Sequence, residues 1–153
     1  MFMNLICNLS DYNYNNVFFM EKRNNMLLNG NFTKLLYSDE NVTLNSIYVD
    51  VNMKYNYAKI NNKTIIQINI NENLEIIEKF SIIEEELLNY YTQLNQINKR
   101  NIYTLKDNLL SSNIRIYKQN NYTNARLFLK ISGIWETDNE IGITYKFIDG
   151  SII

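Results

Sequence analysis

Apolar and polar residues alternate strictly through "SIYVDVNM": Ile47, Val49, Val51 and Met53 fall on one side, Tyr48, Asp50 and Asn52 on the other. A period of two marks a strand with one buried face. The same alternation runs through "NIRIYKQ", where Ile114 and Ile116 oppose Arg115 and Tyr117. In "ARLFLKI", Leu127, Leu129 and Ile131 share a face opposite Arg126, Phe128 and Lys130. Ile141, Ile143, Tyr145 and Phe147 line the inner face of a further strand, with Thr144 and Lys146 opposite. "ETDNE" is the turn between the last two strands, with Asp138-Asn139 at its tip. Earlier in the chain, residues 17–20 and 26–28 read as strand material, and Asn29-Gly30 is a hairpin signal. Asn61-Asn62 is a second turn, followed by Ile66, Ile68 and Ile70 on one face.

The period changes once. From residue 73 to about 97, Ile76, Phe80, Ile83, Leu87, Tyr90, Leu94 and Ile97 recur at alternating four and three. That spacing predicts a helix of about six or seven turns. Asn71 or Asn73 can cap it, and Glu72, Glu75 and Glu78 suit the positive end of its dipole. The heptad stripe fits a coiled-coil seam between subunits or a helix lying on its own sheet. Ile77, Leu74 and Leu88 widen the stripe and favour the sheet. Strands, one long helix, then strands predict an α+β fold: a mostly antiparallel sheet, or an OB-like barrel, with the helix between early and late strands. With 153 residues, 46% of them hydrophobic, and no linker-like stretch, one domain spanning the whole chain is expected.

Composition then narrows the chemistry. The chain has no histidine and a single cysteine, Cys7, so no metal, cofactor or intramolecular disulfide is expected. Nucleotide-binding glycine loops and nucleophile-elbow motifs are absent, and Glu84, Glu85 and Glu86 fan out around a helix without converging. A non-enzymatic role follows as the expectation. No apolar run reaches the ~20 residues that span a bilayer, so no membrane partner is expected. The abundance of Ile, Asn, Lys and Tyr reads as the translation of an AT-rich genome.

Net charge is −1, yet the charge is segregated. Residues 72–86 hold six glutamates and one lysine; residues 99–130 hold seven basic residues and one acid, Asp107. The basic stretch is interleaved with Tyr103, Tyr117, Tyr122 and Phe128. Alternating rings and cations on a sheet face suit a single-stranded nucleic acid, whose bases stack on the rings while cations track its phosphates. Arg115, Tyr117, Lys118, Arg126, Phe128 and Lys130 are the expected contacts. Gly133 and Gly142 would let the last hairpin curl as a small barrel requires, with Trp135 as a plug at the barrel end or a stacking platform.

The 22-residue segment "RLFLKISGIWETDNEIGITYKF" resembles the C-terminal strands of small proteins from large DNA viruses. More loosely, it is similar to phage-type OB-fold single-stranded-DNA-binding proteins. The resemblance rests on Lys130, Ser132-Gly133-Ile134-Trp135, Gly142 and Tyr145-Lys146-Phe147. It implies cooperative binding of single strands during genome replication, within the infected cell's cytoplasm or viral factory, or in the virion. The acidic tail by which phage-type proteins recruit partners has no counterpart in "KFIDGSII". The alternative expectation is a viral structural or assembly protein, forming a homo-oligomer through the 76–97 helix.

Overall fold

The computed structural model describes residues 9–25, 29–118 and 126–150. Strands β1 (Val17–Asn25) and β2 (Gly30–Ser38) form a hairpin, and Asn29 before β2 has a positive φ, as the Asn-Gly signal requires. The short β3 (Thr43–Leu44) turns the chain into β4 (Ile47–Asp50). A second hairpin joins β5 (Tyr55–Ile60) to β6 (Lys63–Ile68), with Asn61 and Asn62 both at positive φ. Helix α1 (Leu74–Asn95) follows, then β7 (Arg100–Asn101), α2 (Thr104–Leu110), β8 (Asn113–Lys118), β9 (Arg126–Glu136) and β10 (Glu140–Gly150).

The fold is α+β, with a mostly antiparallel sheet ordered β1-β2-β9-β10-β8-β6-β5. The last hairpin is its centre. One edge of β9 pairs with β2 at residues 133–136 and with β4 at residues 128–131. The far edge of β10 pairs in parallel with both β7 and β8. The sheet is open: β1 and β5 are its two ends and do not pair with each other. The barrel alternative is thereby corrected. The last hairpin is irregular at one place: β9 bulges at Ser132, where the register slips between Thr144 and Tyr145.

Helix α1 covers one face, here the inner face. Its buried positions are Ile77, Phe80, Ile83, Glu84, Leu87, Leu88 and Tyr91. All of these but Glu84 join one core with Val17, Leu35, Ile47, Val49, Ile66, Ile114, Leu129, Ile131, Ile143 and Phe147. Each apolar sheet position predicted from alternation lies on this side. The seam residues Phe80, Ile83 and Leu87 are buried against the chain's own sheet, so they are not free to pair with a second subunit. No described helix is long and apolar enough to cross a membrane.

Two details of the helix differ from expectation. Asn73 sits at its N-cap position but makes no capping bond. Its side chain instead holds the backbone of Lys54, accepting from N at 2.9 Å and donating to O at 3.1 Å. Asn69 takes the orphan donors ahead of the helix, its Oδ1 accepting from the amides of Asn71 and Glu72. The second difference is α2. Its first-turn amides, Leu105 and Lys106, donate at 2.8 and 3.0 Å to the buried carboxylate of Glu84 on α1. Burial pushes the Glu84 carboxyl above its ordinary value, against the opposing pull of those two amides.

Glu136, at the C-terminal end of β9, is a second buried carboxylate. It accepts from Lys22 and Lys99 on Oε2, each at 2.8 Å, and from the Tyr91 phenol on Oε1 at 2.8 Å. Because the Tyr91 proton goes to Glu136, the Thr33 hydroxyl 3.2 Å away is the donor to Tyr91. Burial raises the Glu136 carboxyl, but the three hydrogen bonds outweigh it and hold the group below its usual value. The Tyr91 phenol is pushed up to about 12, chiefly by burial.

Candidate nucleic-acid interface

The sheet face opposite α1 carries the residues that alternate with the core. Strand pairing brings four of them into one line across the strands. Tyr48 on β4 stands beside Lys130 on β9, and Lys130 is directly opposite Lys146 on β10. Arg115 on β8 lies one residue before the Ile116–Phe147 pair, which sets it beside Lys146. With neighbouring strands about 4.8 Å apart, the line from β4 to β8 is about 14 Å long.

Rings and cations are in contact along it. The Arg115 guanidinium lies 4.8 Å from the centre of the Tyr117 ring, and Lys146 Nζ lies 5.2 Å from the same centre. Lys130 Nζ lies 5.7 Å from the centre of the Tyr48 ring. Each such contact is worth about 0.5–1 kcal/mol at an exposed site and keeps the ring in register with its cation. Tyr117, Arg115 and Lys146 are exposed; Tyr48 and Lys130 are half-buried.

The charge is uncompensated locally. Ion pairs among the described residues engage Lys22, Lys79, Lys99, Arg100 and Arg126, and none engages Lys130, Lys146 or Arg115. Like charges placed directly opposite on paired strands are destabilising by a few tenths of a kcal/mol to about 1 kcal/mol. The Lys130–Lys146 pair therefore works against folding, and an external polyanion would relieve it.

Of the six residues predicted as contacts, Arg115, Tyr117 and Lys130 come together on this face. Arg126 is exposed but already paired with Asp50 at 3.4 Å, which neutralises much of its charge. Lys118 ends β8 opposite Asp149, and its side chain lies outside the described residues. Phe128 is a correction. It shares the predicted register but is only 5% exposed, packed at the level of its strand partner Ile148, which is also buried. Its ring offers no free face for stacking. Trp135 is a second correction: in an open sheet it plugs nothing, and it stands half-buried on the outer face across Gly142. Lys146 and Tyr48 stand outside the six expected contacts. The alternation put Lys146 on the outer face, but only the β9–β10 and β4–β9 registers bring these two to Lys130. Tyr122, among the interleaved rings, lies outside the described residues.

Comparison with protein-family profiles, with curated proteins and with solved structures found no match to this chain.

Proposed function

We propose that this protein binds single-stranded nucleic acid, DNA in the first instance, on the outer face of its sheet and without catalysing a reaction on it. The observation that carries the reading is the Lys130–Lys146–Arg115 line with Tyr48 and Tyr117 held beneath the same cations. Three adjacent cations with no acidic partner among the described residues suit a phosphate backbone. Exposed rings beside them suit unpaired bases, at about 1–3 kcal/mol per stacked base. A replicative role in a large DNA virus remains part of the proposal and rests on the resemblance of the last hairpin.

The assembly reading has weaker support. Its motives are the near-zero net charge, the heptad stripe and the apolar pair Ile152-Ile153, which lies outside the described residues; the central residues of the stripe are occupied by the chain's own core.

The test is fluorescence anisotropy of a labelled oligodeoxynucleotide at low salt, titrated with micromolar protein. Binding is expected to fall with salt at a log–log slope of about −2, from three phosphate contacts at about −0.7 each. The double variant Lys130→Glu/Lys146→Glu is expected to abolish it, while Lys79→Glu on the exposed side of α1, across the sheet from the line, leaves it intact. No anisotropy change with the wild-type protein at low salt would end the proposal.

A further inference from the structure

The inner side of the molecule opens a separate cleft of 390 Å³ between β1 and the C-terminal half of α1. That volume lies in the range of small-molecule sites, about 300–1,000 Å³. Phe19, Tyr90 and Tyr91 form an aromatic wall. The Phe19 ring meets Tyr91 edge-on, with centroids 5.2 Å apart, and leans on Tyr90 at 5.7 Å. Phe18, 55% exposed, and Leu94 stand at the mouth.

The polar side of the cleft is positively charged. Lys22 is the only charged residue among those lining it. Behind it, one carboxylate, Glu136, faces two ammonium groups, Lys22 and Lys99, leaving the cluster one positive charge in excess. Lys99 uses a second proton on the Thr137 carbonyl at 2.7 Å. Lys22 makes a single hydrogen bond, to Glu136, and remains 38% exposed, with two protons unused among the described groups. Glu136 is buried behind its three donors and is not open to an entering cation.

We propose that this cleft binds a small aromatic anion, its ring laid against Phe19 and Tyr90 and its carboxylate or sulfonate on Lys22. The aromatic wall supplies the apolar contact and the unspent Lys22 donors supply the sign. A neutral aromatic molecule would leave the excess charge unmatched, and a cation would be repelled by it. The cleft lies on the opposite side of the sheet from the Lys130–Lys146–Arg115 line, so this inference stands apart from nucleic-acid binding.

The probe is anilinonaphthalene sulfonate, compared with the neutral phenylnaphthylamine, on the full chain. The anionic dye is expected to saturate one site, at least tenfold tighter than the neutral dye. Lys22→Met should weaken the anionic dye about tenfold while circular dichroism stays unchanged. Leu94→Trp, a change at the exposed mouth that leaves the core untouched, should block the dye without altering oligonucleotide binding. Equal affinity for the two dyes, an unchanged affinity in a folded Lys22→Met protein, or binding at several sites would each overturn the proposal.

Discussion

Trp135 lies across Gly142, its direct partner on the neighbouring strand, so closely that a methyl group at position 142 would fall inside the indole. Gly133 is in a tighter place, under the Phe32 ring and against the backbone carbonyl of Thr33. The two substitutions should therefore differ. Gly142→Ala displaces a side chain, which can swing outward. It is expected to cost about 1–3 kcal/mol in urea unfolding and to shift Trp135 emission to the red. Gly133→Ala meets backbone, which cannot swing, and is expected to cost more. A Gly142→Ala protein with unchanged emission would show that the indole does not depend on the glycine.

Glu84 makes α2 depend on α1. Two amides of α2 end on its carboxylate, and no local side chain caps that helix. Glu84→Ala leaves the buried Leu105 amide unpaired and takes the partner from the part-buried Lys106 amide, at a cost of about 1–3 kcal/mol. Because α2 holds the inner face of β10 through the Asn108–Tyr145 bond, hydrogen exchange should rise first in α2 and then around Tyr145. Exchange that rises uniformly across the sheet would mean that α2 is not tied down through this residue.

These two cases separate what the sequence discloses from what it hides. The Asn29-Gly30 and Asn61-Asn62 turns, the Leu127, Leu129 and Ile131 face and the period of α1 are local: turn residues and spacing are written within a dozen positions. Helix α2 spans only two turns, and its cap comes from a residue some twenty positions earlier, so no local signal existed to read. The cation line has the same character. Arg115 and Tyr117 were visible as neighbours on one strand, but Lys146 joins them by register between separate strands. Phe128 failed as a contact because alternation assigns a side of the sheet and says nothing of what packs there.

Glu84 and Glu136 should shape the acid limb of stability in opposite directions. The folded-state value of Glu136 is depressed, so its contribution is complete above its unfolded value near 4.5 and is lost as pH falls through the folded value. The folded-state value of Glu84 is raised, so the native state holds its proton longer. Stability then falls as pH rises from about 4.5 through that raised value. Denaturation midpoints measured from about pH 3 to 7 should show a shallower acid loss in Glu136→Gln. In Glu84→Gln, the decline toward neutral pH should disappear. A wild-type acid limb reproduced unchanged by Glu136→Gln would remove this carboxylate from the account.

The Lys130–Lys146 pair offers a test in which stability and binding move apart. Lys146→Glu turns a repulsive cross-strand pair into an attractive one and leaves the backbone ladder alone. At low salt the new attractions to Lys130 and Arg115 are expected to offset the lost Lys146–Tyr117 contact and to leave stability unchanged or raised by up to about 1 kcal/mol, an effect that shrinks as salt is added. The same change removes the middle cation of the line and sets a carboxylate between Lys130 and Arg115. Oligonucleotide affinity should drop by more than tenfold, because one phosphate contact is lost and one repulsion is gained. A residue kept only as solvent cover would show the first effect without the second. A Lys146→Glu protein that is at least as stable and still binds with unchanged affinity would take the outer face out of nucleic-acid recognition.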